Sequence, residues 1–328
     1  MKNSISAKLP IVRKLKPYSL SGLKLAAGSI ILFGALSSCI VDDPEIVSDI
    51  KEDFIGIKSV SVEGAYLDVS YVGNSSTEIV NLEALMRANS NSRAKINYSV
   101  KDDKLIIEVK SSGGSLKKSD GYIRLTGPKN ITVDLNVSSG NLYAETIKDN
   151  QIKLSTSSGK IHAKNLEASY IRFFSSSGEV LGEGLTGKVS TSFSSGKVHL
   201  YRIDGSLSAE GSSGNLLVKD LIGKIDAKIS SGKIDLDRIN ELGKLIISSG
   251  SITGHQIGLG PSTELTASSG NISIQTNSTL NSFNFDLTAA SGRVRVGNSS
   301  TAGTLKINNG AAYTIKGLVG SGKIEIFN

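Results

Sequence analysis

Residues 194–236 read SSGKVHLYRIDGSLSAEG, SSGNLLVKDLIGKIDAKI and SSGKIDL, two units of eighteen residues and the opening of a third. Around this stretch, Ser-Ser-Gly or a close variant ends at Gly140, Gly159, Gly178, Gly196, Gly214, Gly232, Gly250 and Gly270, with Ala290-Ser291-Gly292 as a ninth copy. Successive intervals are 19, 19, 18, 18, 18, 18, 20 and 22 residues. A fixed short period marks a chain built by stacking units, each too small to bury its own apolar face.

Two residues after each glycine stands an aliphatic side chain, among them Leu142, Ile161, Val180, Val198, Ile234 and Val294. A second aliphatic column lies seven residues after it, as at Leu166, Leu185, Ile203 and Ile239. The positions between are polar, as in Lys160-Ile161-His162-Ala163 and Lys233-Ile234-Asp235-Leu236, and alternation with period two is that of a strand. Two short strands per repeat, stacked in the same direction, predict an all-β fold: a parallel β-helix, or solenoid, of about eighteen residues per rung. The general preference of crossovers makes it right-handed. With stacked strands about 4.8 Å apart, such a rod is on the order of 45 Å long, with sides but no cleft.

Ser-Ser-Gly is expected at a corner, where glycine tolerates positive φ and serine hydroxyls bond turn backbone and the serines of neighbouring rungs. Equivalent copies with no accompanying His–acid pair argue against a serine nucleophile. Because an open parallel edge invites end-to-end pairing, residues ahead of the repeats are expected to close one end. At the other, Lys323–Asn328 reads as a final strand whose Lys323 and Glu325 protect the edge.

The chain has 328 residues and a formal charge of +7, but residues 1–38 carry six basic residues and no acidic one. Without them 31 basic residues face 30 acidic ones, and the electrostatic ground for a nucleic-acid partner disappears. Residues 1–38 read as a lipoprotein signal peptide: a basic stretch ending at Lys24, the apolar run Leu25–Leu36, then Leu36-Ser37-Ser38-Cys39. Small residues before a cysteine resemble the lipobox of bacterial lipoproteins, which implies that Cys39 becomes the lipid-modified, palmitate-bearing N-terminus. It is the only cysteine, so an internal disulfide and a multi-cysteine zinc site are excluded. Residues 39–53, with Asp42, Asp43, Pro44, Glu45, Asp49, Glu52 and Asp53, read as a solvated acidic tether. An acidic cluster behind a lipidated cysteine resembles an export signal to the cell surface of Gram-negative bacteria.

Residues 54–128 also alternate, at Val60-Ser61-Val62, Leu67-Asp68-Val69 and Leu105-Ile106-Ile107-Glu108-Val109, while Glu78–Ala88 reads as a short helix or a loop. This section is expected to be a β-rich cap leading into the repeats of residues 129–328. The opening alternation around Phe54–Val69, the strand entry Asp102-Asp103-Lys104-Leu105-Ile106-Ile107, Gly127-Pro128 before Ile131–Leu135, and the Ser-Ser-Gly-x-aliphatic repeats together resemble the putative-adhesin families of bacterial surface proteins. These are domains of unknown function related to the head domains of autotransporter adhesins. The resemblance covers roughly residues 54–328 and implies an extracytoplasmic, non-enzymatic β-solenoid; it carries no set of functional residues.

Polysaccharide lyases and hydrolases also use parallel β-helices, but they need acids converging on one outward face. Here the positions one after each glycine include Asn141, Lys160, Glu179, Lys197, Asn215 and Lys233, with no acidic cluster. Asp235 and Asp237 share a face, with Glu183 and His255 in the column of Asp237, and read as a mixed-charge surface. The isolated His162, His199 and His255 make no metal site, and no cofactor is expected. A line of Tyr143, His162, Leu181, His199 and Leu217, three residues after successive glycines and with Tyr201 beside it, points outward as a candidate binding stripe.

The expected protein is a lipid-anchored outer-membrane module, on the cell surface or facing the periplasm. It binds a glycan or protein ligand on a solenoid face without catalysis. A structural or regulatory envelope protein contacting another membrane component is the second reading, and a glycan-active β-helix enzyme the third.

Overall fold

In the computed structural model, which describes residues 44–89, 93–111 and 119–328, parallel strands lie upon one another with their partners one sequence repeat apart. The strands run in chain order β1 (Glu45–Ile55), β2 (Ser59–Glu63), β3 (Asp68–Asn74), β4 (Ile79–Ala88), β5 (Lys95–Lys101), β6 (Lys104–Lys110), β7 (Asp120–Pro128) and β8 (Thr132–Val137). Then come β9 (Leu142–Thr156), β10 (Lys160–Ser175), β11 (Glu179–Phe193) and β12 (Lys197–Thr276), the last an extended trace holding several repeats. A 3-10 turn at Leu280–Ser282 leads to β13 (Asn284–Val296), β14 (Ser299–Thr301), β15 (Thr304–Ile307) and β16 (Thr314–Phe327). The described residues are all-β, joined in one sheet.

The expected aliphatic column is built by this register. Leu142 pairs with Ile161, Ile161 with Val180 and Val180 with Val198, each at most 1% exposed. Offsets of 19 residues from β9 to β10 and β10 to β11, and 18 from β11 to β12, match the intervals between glycines. Burying one aliphatic side chain contributes roughly 1.5–3 kcal/mol. A column shares that gain between neighbours, since each side chain covers the one before it.

The glycines form a column of their own, for a reason the turn argument alone does not contain. A Cβ on Gly159 would stand 1.8 Å from the carbonyl oxygen of Gly140, and one on Gly178 would stand 1.9 Å from that of Gly159. The same collision recurs at 2.1 Å for Gly196 on Gly178, 2.2 Å for Gly214 on Gly196 and 1.9 Å for Gly232 on Gly214. Close approach of backbone to backbone excludes a side chain all along the line. The serines beside it are linked by main chain: Ser158 N donates to Ser138 O at 2.8 Å, and Ser177 N to Ser157 O at 2.7 Å. The hydroxyl ladder between motif serines is absent among the described residues.

Three expectations are corrected. The acidic residues from Glu45 onward do not form a solvated tether: β1 pairs antiparallel with β4 from Glu45↔Ala88 to Ile55↔Ile79, and Val47, Ile50 and Phe54 pack against the core. Exposed acids placed between the inward apolar residues hid this strand. The segment expected as a helix or loop is, from Ile79 to Ala88, β4, with Val80, Leu82, Ala84, Met86 and Ala88 buried in alternation. Finally, the chain does not stack in sequence order. The strand from Thr314 lies between β12 and β13, pairing parallel with both, so Ile272 meets Ile324 and Ile324 meets Val294. Lys323 and Glu325 therefore protect no edge, and Gly322 takes the next place in the column after Gly270, ahead of Gly292.

The order is inverted at the beginning as well. Strands β2 and β3 lie between the pair β8/β9 on one side and the pair β6/β7 on the other, all parallel. Beyond them direction reverses: β5 is antiparallel to β6, and β4 to β7. The far end follows the same plan, with β14 and β15 antiparallel to β13. Each end of the parallel stack is thus closed by antiparallel strands.

Buried hydroxyls in the core are mostly paired. Thr263 Oγ1 donates to Leu242 O at 2.8 Å, and Thr156 Oγ1 accepts from Gly159 N at 2.9 Å. Ser175 and Thr191 differ, with no partner for either hydroxyl among the described residues; Thr191 stacks between Phe173 and Ala209 and is 3% exposed. Thr191→Val keeps the shape and removes an unsatisfied polar group, so stability should rise by about 1 kcal/mol. A thermal melt should then move up by about 2–4 °C; an unchanged or lower midpoint would show that the hydroxyl is satisfied.

Candidate functional site

Six residues after each of the first seven repeat glycines, Gly140 to Gly250, the backbone turns left-handed. Thr146, Asn165, Gly184, Arg202, Asp220, Arg238 and Gln256 all have φ between +52° and +67°. Glycine, asparagine and aspartate tolerate this region, but a left-handed conformation costs other residues about 1–2 kcal/mol each. Packing over-determines it here. The turn breaks strand alternation so that the next residue points inward, and Leu166, Leu185, Ile203, Leu221 and Ile239 are all at most 2% exposed.

The column of left-handed corners forms one wall of a groove of about 880 Å³ that crosses successive repeats from Asn165 to Asn277. This side of the stack is therefore a shallow, open groove rather than an enclosed cleft. Its floor is the aliphatic column just named, and its other wall carries Glu167, Thr186, Asp204, Ile222 and Asn240. Ile222 is 68% exposed, an apolar side chain standing in an otherwise polar rim.

Both arginines of the groove are held in ion pairs. Arg238 Nε donates to Asp220 Oδ1 at 2.5 Å and Nη2 to Oδ2 at 3.1 Å, while its Nη1 reaches Asp237 Oδ2 at 2.6 Å. The guanidinium hydrogen bonds hold the Asp220 carboxyl below the ordinary carboxylate range. Arg202 pairs with Glu183, and His255 Nδ1 stands 3.2 Å from Asp237 Oδ1. A carboxylate clasped in this way is a poor proton donor near neutrality. Asp235, in the stripe column, pairs with Lys233 at 2.8 Å.

The candidate stripe lies three positions before the corners. Register places His162 against Tyr143 on one side and Leu181 on the other, and Leu181 against His199. Leu217 follows His199 at the interval that separates the stacked Gly196 and Gly214, and Tyr201 pairs with Glu183. All six are half-buried. Tyr143 meets His162 edge-on, with ring centroids 5.3 Å apart, and its hydroxyl donates to Glu145. That hydrogen bond, with partial burial, pushes the phenol up to about 12. Cys39 lies outside the described residues, as does the whole of residues 1–38. Among the described residues no three metal-binding side chains come together, and no helix is long and apolar enough to cross a membrane.

The family model of Toastrack DUF4097 matches residues 61–244, more than half of the chain. The chain belongs to the Toastrack DUF4097 family. The Toastrack match runs from β2 into β12 and takes in the groove from Asn165 to Asn240, whereas Gln256 and Asn277 lie beyond it. No curated protein matches the chain.

Among solved structures, this Toastrack chain is similar to a "putative lipid binding protein" from Parabacteroides distasonis, at 14% identity and a TM-score of 0.47, covering 87% of this chain and 97% of that one. A "putative adhesin" from Bacteroides fragilis gives 14% identity and a TM-score of 0.38, with 85% and 97% covered. A third, a "putative adhesin" from Parabacteroides merdae, gives 15% identity and a TM-score of 0.32, with 86% and 96% covered.

The corner column escaped the sequence reading because its residues share a backbone angle and no chemistry. The available signal was positional: Asn165, Gly184 and Asp220, three residue types that favour left-handed backbone, recur at one offset from the glycines.

Proposed function

We propose that this protein is a lipid-anchored, extracytoplasmic binding module, a β-solenoid that grips its ligand along an extended face and catalyses nothing. The observation that carries this reading is the groove, assembled from one or two residues of each successive repeat. A site of that form offers repeated weak contacts along a chain-like ligand, and its Asp220 and Glu167 carboxylates are engaged in ion pairs. The stripe from Tyr143 to Leu217, on the strand segments leading into the same corners, is proposed as a flanking contact. Register offsets of 18 and 19 residues support a winding of about eighteen residues per rung, and right-handedness follows the general preference of crossovers.

The anchor is proposed to be Cys39, with the module at the outer membrane and facing outward. Two or more acyl chains hold a protein stably at about 0.8 kcal/mol per buried CH₂. Metabolic labelling with a fatty-acid analogue should mark the full chain and leave Cys39→Ala unlabelled. Protease added to intact cells should remove the module, and cells displaying it should adhere to glycan or protein matrices better than cells without it. Retained label in Cys39→Ala overturns the anchor; equal adhesion with and without the module overturns the binding role.

A further inference from the structure

We infer that the groove from Asn165 to Asn277 is a binding site for a neutral glycan chain, lying along the stack with its sugar rings in step with the repeats. The inference rests on the binding-module reading and names its ligand class.

The polar side chains decide the chemistry. Arg202 and Arg238 face the groove but are neutralised by Glu183, Asp220 and Asp237, so no unpaired cation among the lining residues meets a phosphate or carboxylate. A nucleic acid or an acidic polysaccharide needs such cations. In contrast, the side-chain amides of Asn165, Asn240, Gln256 and Asn277 make no hydrogen bond among the described residues, and neither does the Asp204 carboxylate. An amide offers donor and acceptor side by side, which matches neighbouring hydroxyls that also do both. Exposed Ile222 supplies an apolar contact for the C–H face of a sugar ring.

Geometry points the same way. Equivalent positions recur at the strand spacing of about 4.8 Å, comparable to the length of one pyranose ring. A peptide bound by strand addition would need open backbone groups. Here β10 and β11 are paired on both sides, so backbone groups along this wall are already used.

The test is calorimetric titration of the full chain, in a detergent without a sugar headgroup, with cellohexaose, maltohexaose, mannohexaose and xylohexaose, and with hexagalacturonate as the anionic comparison. At least one neutral hexasaccharide should bind, and more tightly than hexagalacturonate. The exposed double variant Asn240→Ala/Asn277→Ala should weaken it roughly tenfold. Ile222→Ser, which leaves every amide in place, should weaken it several-fold, and Ser231→Ala, outside the groove, should leave it unchanged. Binding of none of the four, tighter binding of hexagalacturonate, or full affinity in folded groove variants would each overturn the assignment. Adhesion of displaying cells that survives such a failure would refute the glycan and keep the binding module; loss of both would refute both.

Discussion

Gly232→Ala is expected to destabilise the protein by about 3–5 kcal/mol, combining backbone strain with overpacking. Gly232 has φ +136°, a conformation open to glycine alone, and its absent Cβ would stand 1.9 Å from the carbonyl oxygen of Gly214. Relief requires the two repeats to separate, which loosens the paired aliphatic columns on either side. The thermal midpoint should fall by on the order of 10 °C. Ser231→Ala, one residue away and exposed, should change it by less than about 0.5 kcal/mol. Equal melts for the two variants would mean that the glycine column is not in contact.

Removing residues 314–328 should be more damaging than the loss of a terminal edge strand. β16 is interior: it holds β12 on one side and β13 on the other, with Ile315, Val319, Ile324 and Ile326 fully buried. Truncating one buried aliphatic residue costs about 2–5 kcal/mol, and here four leave together. The truncated chain should lose hydrogen-exchange protection throughout β13 and expose the open side of β12, with self-association as the visible result. Protection in β13 equal to that of the intact chain would show that the C-terminal strand sits outside the stack.

The glycine interval and the aliphatic residues two and seven positions later were legible because each repeats the same chemistry at the same offset. Strand order was less so. Gly320-Ser321-Gly322-Lys323-Ile324 carries a one-residue variant of the motif, as Ala290-Ser291-Gly292 does, and nothing local says that it enters the stack ahead of that copy. Insertion order is a property of pairings between distant segments. β1 is hidden differently, since an edge strand keeps one face in water and its exposed acids have the composition of a tether. The stripe was readable as a spacing of strand positions. The groove was not: it arises where corners stack, and Arg202, Asp220 and Arg238 share only a torsion angle.

Antiparallel closure at both termini has an evolutionary corollary. A unit appended to either extremity would meet strands running the wrong way, so lengthening must happen in the middle. Duplicating eighteen codons within residues 197–250 would add one more rung to the groove while leaving both ends as they are. The length of the stack is therefore heritable as a copy number, adjustable without redesigning the ends.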